Sequence, residues 1–145
     1  MKIYFDVCCL NRPFDDQSDY KIHLESEAIL ILISLCENDF HDIINSSIIE
    51  YEINLALEEN KKKMVKTILS LSKYKIELND KIIKRALYFE ENGIDPFDAL
   101  HLACAEYGSD ILLTVDDKFI KKATKINDLK VEILNPLVWI KEVLR

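Results

Sequence analysis

A chain of 145 residues, 49% hydrophobic and with only 2 glycines and 3 prolines, is long enough to bury one core and unlike a linker or low-complexity segment. Its net charge of −7 excludes passive, sequence-independent coating of a polyanion, though not an enzyme whose clustered acids hold cations that invert the local sign. The longest apolar stretch, Ala28 to Leu35, falls well short of the roughly 20 residues of a membrane span, and Asp6 interrupts the amino-terminal run, so neither a transmembrane helix nor a signal peptide is expected and the reading is cytoplasmic.

Lys2 to Asp6 carries Ile, Tyr and Phe and reads as a short buried strand ending at Asp6. Asn11, Pro13, Asp15, Asp16 and Ser18 form a loop, after which Ile22, Leu24, Ala28, Leu30, Ile31 and Leu35 return at the spacing of a long helix. Phe40 to Asn45 is a second strand, and Ser46 or Ser47 is placed to cap a helix that starts near Ile48 and contains Glu52. The charged run Glu58 to Lys63 is a solvated helix turn or connection before an amphipathic stretch through Met64, Ile68, Leu69 and Leu71. Tyr74 to Leu78 is a third strand; Asn79 caps a helix with Ile82, Ile83, Ala86, Leu87 and Phe89 on its apolar face, and Gly93 ends it.

Asp95-Pro96 starts the next helix, because proline is tolerated at the first helical position, and sets Asp98 in its first turn. The runs Asp110 to Val115 and Lys130 to Leu134 read as buried parallel strands, and Pro136 opens a terminal helix. Strands alternating with helices predict one α/β domain over residues 1–145, with a mostly parallel central sheet flanked by helices and ligands at the carboxyl ends of the strands. Cys8 and Cys9 are adjacent, Cys36 and Cys104 fall on helical patterns, and no zinc-ligand spacing exists, so reduced thiols are expected.

Asp6, Glu52, Asp98 and Asp116 each have an ordinary explanation: a strand end, a solvated helix residue, and acids at helix starts. Their joint placement is what carries weight, since Asp6 and Asp116 end strands, Asp98 begins a helix and Glu52 lies in the helix after a second strand. Clustered carboxylates repel one another and raise one another's pKa, which a bound cation relieves, and an all-oxygen set selects hard ions such as Mg²⁺ or Mn²⁺.

The segments Ile3-Tyr4-Phe5-Asp6, Ser47 to Glu52, Phe97-Asp98-Ala99-Leu100-His101-Leu102-Ala103 and Leu113-Thr114-Val115-Asp116-Asp117-Lys118-Phe119 resemble, in order, the successive motifs of PIN domains. The resemblance spans nearly the whole chain. It implies a metal-dependent endoribonuclease in which Asp6, Glu52, Asp98 and Asp116 are both catalytic and metal-binding, using Mg²⁺ or Mn²⁺, with Thr114 and Ser47 as supporting hydroxyls and Asp117 as a weaker candidate. It also implies RNA as substrate, and a homodimer with an antitoxin protein as partner, as in the small toxins of toxin-antitoxin modules. Val7, Cys8 and Cys9 depart from that pattern, because small toxins often carry a hydroxyl residue after the first aspartate.

Other polar residues read more plainly. Arg12 is expected to be a surface or structural residue instead of a phosphate ligand, His101 to pack between Leu100 and Leu102, and Lys118, Lys121 and Lys122 to form a solvated face. A competing reading is a PIN-like binding or regulatory module with a silent acidic site. A phosphatase or phosphoacceptor domain fits worse, because Val7-Cys8 follows Asp6 where Asp-x-Asp would stand, and no lysine follows a late strand in the receiver arrangement.

Overall fold

The computed structural model describes residues 1–145 and contains the five parallel strands expected. They are β1 (Lys2–Phe5), β2 (Asp42–Ser46), β3 (Tyr74–Ile76), β4 (Ile111–Leu113) and β5 (Glu132–Leu134), in the spatial order β3-β2-β1-β4-β5. The helices are α1 (Val7–Asn11), α2 (Tyr20–Glu37), α3 (Ser47–Asn54), α4 (Glu59–Leu69), α5 (Asp80–Glu91), α6 (Pro96–Gly108), α7 (Asp117–Thr124) and α8 (Pro136–Val143), with a 3₁₀ turn at Arg12–Phe14. Every strand runs in the same direction because helical crossovers return the chain to the same edge each time.

Strand β1 is the hub of this sheet. It pairs Tyr4 with Ile44 of β2 on one side and with Leu112 of β4 on the other. Ile3, Tyr4 and Phe5 are consequently almost fully buried, which is what a near-continuous apolar strand of a doubly covered parallel sheet requires. The strand order reverses at β1, first running out through β2 to β3 and then resuming at β4 on the opposite side. In open parallel sheets the crevice at such a reversal, beyond the carboxyl ends of the strands, is where ligands bind.

Local signals set the helix ends. Ser46 accepts the Ile49 amide and so resolves which serine caps α3, Asn79 accepts the Ile82 amide to start α5, and Pro96 is at the start of α6. Helix α5 ends at Gly93, whose φ of 93° lies in the left-handed region; the amides of Gly93 and Ile94 bond back to the carbonyls of Glu90 and Phe89. Gly108 serves a different need: a Cβ there would lie 2.7 Å from Cδ1 of Ile76, so the Ile76 side chain keeps its present position against the end of α6 because no Cβ is there.

The inward face of α5 differs from expectation, and that of α2 is one the spacing alone left open. In α2 the buried residues are Glu25, Ser26, Ala28, Ile29, Leu32, Ile33 and Cys36, while Leu24, Leu30 and Ile31 are exposed. In α5 the core takes Ile82, Ala86 and Phe89 and leaves Ile83 and Leu87 outside. Both helices carry apolar residues on two adjacent stripes, and the tilt of the helix on the sheet decides which one faces inward. The charged run expected as a turn or connection forms the opening turns of α4, whose buried residues are Val65 and Leu69. Helix α1 has no counterpart among the predicted elements, being too short for its apolar residues to show a period.

Candidate active site

Asp6 leaves the carboxyl end of β1 and caps α1. Its Oδ1 accepts the Val7 amide at 2.8 Å, and its Oδ2 accepts the Thr114 hydroxyl at 2.7 Å and the Cys8 thiol at 3.3 Å. These donors occupy roughly three of the four lone-pair directions of a carboxylate and fix its plane, leaving room for a further ligand on the cleft side. Thr114 also accepts the Asp116 amide at 3.1 Å, so one hydroxyl couples two of the predicted acids across β1 and β4. Asp116 in turn caps α7, accepting the amides of Lys118 and Phe119.

Glu52 approaches from α3 and is held by a buried polar chain. Its Oε1 lies 3.1 Å from Nε2 of His101, Nδ1 of that ring lies 2.7 Å from the Tyr4 hydroxyl, and Tyr4 lies 2.8 Å from Oγ of Ser46. Tyr4, Ser46 and His101 are all fully buried. Ser46 already accepts the Ile49 amide, so one direction uses every hydrogen: Ser46 donates to Tyr4, Tyr4 donates to Nδ1, and the Nε2 proton of His101 points at Glu52. Burial pushes the Tyr4 phenol well above its ordinary pKa, so it remains a donor.

Ligand atoms of Asp6, Glu52 and His101 all lie within 4.8 Å of one another. Asp98, in the first turn of α6, and Asp116 stand outside that tight group. Asp98 nonetheless registers it: its carboxyl is pushed from 3.8 up to about 7, first by burial and then by the charges of Asp6 and Asp116, with His101 opposing. Beyond burial, the charges of Asp6 and Asp116 therefore both reach the Asp98 carboxyl. An oxygen-rich group of this kind fits a hard divalent cation, whose charge would offset the mutual repulsion that Asp98 records.

The supporting residues are partly different from those expected. Ser47 bonds Glu77 at 2.5 Å and the Ile76 carbonyl, so the hydroxyl built into the site network is that of Ser46. Asp117 is exposed and pairs with Lys21, Lys122 pairs with Asp95, and Lys118 and Lys121 lie on an exposed face. Arg12 points into the body of the protein, 3.3 Å from Oε1 of the fully buried Glu25, which also accepts the Asn135 amide at 2.7 Å. His101 is buried as predicted, but its bonds to Tyr4 and Glu52 make it part of the site framework. Cys9, Cys36 and Cys104 are free and buried, while Cys8 is half-buried at the edge of the cleft.

Against known families, residues 3–125 match the model of the PIN domain. The chain belongs to the PIN domain family. Solved structures similar to this PIN domain include FitAcB from Neisseria gonorrhoeae, with 18% identity and a TM-score of 0.64 over 92% of this chain and 97% of that one. Another is VapBC2 from Rickettsia felis bound to a DNA fragment from their promoter, with 19% identity and a TM-score of 0.58 over 92% of this chain and 98% of that one. At these identities the likeness is one of fold. No curated protein matches the sequence.

Proposed function

We propose that this PIN domain is a divalent-metal-dependent endoribonuclease acting as the toxin of a toxin-antitoxin pair. The observation that carries the reading is the convergence of Asp6 and Glu52 within 4.8 Å on the carboxyl side of the central strand, with Asp98 close enough for its proton affinity to rise. In this reading Asp6, Glu52, Asp98 and Asp116 hold one or two Mg²⁺ or Mn²⁺ ions. A bound ion supplies Lewis-acid stabilisation of the phosphodiester and lowers the pKa of the attacking water.

The chain's own residues then have separable tasks. Thr114 and Cys8 hold the Asp6 carboxylate in one plane, and His101 holds one oxygen of Glu52. Asp98, which keeps its proton to about 7 in the free protein, is suited to yield it when a cation enters. A homodimer is part of this reading, because the exposed Leu24, Leu30 and Ile31 give α2 an outward apolar stripe that the fold itself does not cover. The antitoxin partner and a cytoplasmic location follow from the toxin reading, and no helix is long and apolar enough to cross a membrane.

Cleavage of a panel of structured RNAs with Mn²⁺ or Mg²⁺ tests the reading, comparing the wild type, the chelated protein and Asp98→Asn, whose folding is checked by circular dichroism. Cleavage abolished by both chelation and the substitution is expected. An RNA panel left intact by the metal-loaded wild type would instead favour a PIN domain whose function lies in binding a partner.

A further inference from the structure

Tyr51 and Phe97 are stacked on each other in the open, with ring centroids 6.1 Å apart and planes at 23°. They remain 55% and 41% exposed. Neither ring is needed by its helix: α3 faces the core with Ile48, Ile49 and Ile53, and α6 does so with residues that include Ala99, Leu102 and Ala103. Aromatic side chains stabilise a fold chiefly by burying their large area, so a pair left this exposed forgoes much of that gain. Their position is specific. Tyr51 immediately precedes Glu52 in α3 and Phe97 immediately precedes Asp98 in α6, so the stacked pair bridges the two helices one residue away from each of these acids.

Charge argues in the same direction. A chain of net charge −7 gains little affinity for RNA from phosphate contacts, and hence needs a source of affinity that does not depend on cations. Stacking on an aromatic face is such a source, open to any base but only to one that is not already stacked within a duplex. We infer that Tyr51 and Phe97 form a platform on which an unpaired base of the RNA strand stacks, next to the phosphodiester held at the carboxylates. The inference rests on the ribonuclease reading and adds to it the two side chains that hold a base of the strand.

The test is fluorescence anisotropy of a short, labelled, unstructured RNA, and of an abasic strand of equal length, binding to the full chain with Ca²⁺ present. Tyr51→Ala and Phe97→Leu should each weaken RNA binding by about tenfold, the size expected for the loss of one stacked base, and leave the abasic strand unaffected. Tyr51→Phe should bind as the wild type, and Mn²⁺ affinity by calorimetry should be the same in all variants. Unchanged RNA affinity in Tyr51→Ala and Phe97→Leu, or an equal loss toward the abasic strand, would overturn the platform, including the case in which those variants lose only binding to a protein partner. If the wild type still cleaves RNA under those outcomes, the ribonuclease reading survives without the platform; a wild type that neither binds nor cleaves RNA removes both.

Discussion

The Tyr4 hydroxyl lies 2.7 Å from Nδ1 of His101, and the opposite nitrogen of that ring lies 3.1 Å from Glu52, so the central strand grips a carboxylate of the cleft through one buried imidazole. Helix α3 alone would leave Glu52 free to rotate. Residues that orient a ligand in this way typically change metal affinity by about 10–100-fold when removed. His101→Ala should therefore weaken Mn²⁺ binding in calorimetry by a factor in that range while the protein stays folded. Tyr4→Phe should lower stability by about 1–3 kcal/mol in urea denaturation, because it strands buried groups on Ser46 and His101. A His101→Ala protein that binds Mn²⁺ as tightly as the wild type would remove the orienting role.

The raised carboxyl of Asp98 makes the stability of the metal-free protein depend on pH. Its pKa is about 7 in the folded chain against an ordinary 3.8, so between those values the folded state holds a proton that the unfolded state has lost. This contribution is complete below about 3.8 and is lost as pH rises through about 7. Asp98→Asn should flatten the fall in melting temperature across that window relative to the wild type. Parallel curves for the two proteins would show that Asp98 is not the group responsible.

Cation binding should itself stabilise the fold. At a concentration of 100 times the dissociation constant, the expected gain is about 2.7 kcal/mol, and Mn²⁺ should raise the melting temperature accordingly. Asp6→Asn is the informative control: its amide oxygen can still accept the Val7 amide, so the cap persists, while the charge at the site is lost and an NH2 replaces the oxygen that accepts the Thr114 hydroxyl. That variant should melt close to the metal-free wild type and respond little to Mn²⁺. An equal rise in both proteins would place the cation elsewhere.

Arg12 and Glu25 predict a structural effect away from the cleft. Glu25 is fully buried, with Arg12 at 3.3 Å and Asn135 at 2.7 Å as its partners, tying the segment after α1 to α2 and to the start of α8. Arg12→Ala leaves that carboxylate without its cation and should destabilise the protein by about 3–5 kcal/mol. Replacing both with Met should recover much of the loss. A single substitution without measurable effect in denaturation would mean that the Arg12–Glu25 contact contributes nothing to stability.

The sequence made the framework legible because strands and helices announce themselves locally. Ile3-Tyr4-Phe5, Ile111-Leu112-Leu113 and the caps Asn79 and Pro96 sit where apolar runs and end signals put them. Which stripe of α2 faces inward is not legible in the sequence, since Leu24, Leu30 and Ile31 are as apolar as Ile29, Leu32 and Ile33 and only packing separates the two sets. His101 shows the same limit at the site. Its spacing from Asp98 places it on the same side of α6, but the Tyr4 hydroxyl that binds it comes from 97 residues earlier, a contact no local pattern contains. Tyr4 in a buried strand, with a hydroxyl in need of a partner, was the signal available.

The strand order has a consequence for when the cleft is assembled. The first strand to leave the ribosome, β1, stays unpaired on one side until β4 arrives, because β4 is its other neighbour in the sheet. Thr114, which braces Asp6, and Asp116 are translated after every other residue of the cleft. Once Asp98 has been added, a nascent chain carries Asp6, Glu52 and Asp98 without the piece that locks them into register until Thr114 and Asp116 follow. The acids of the cleft therefore come into register only once β4, in the last third of the chain, has been added and has paired with β1.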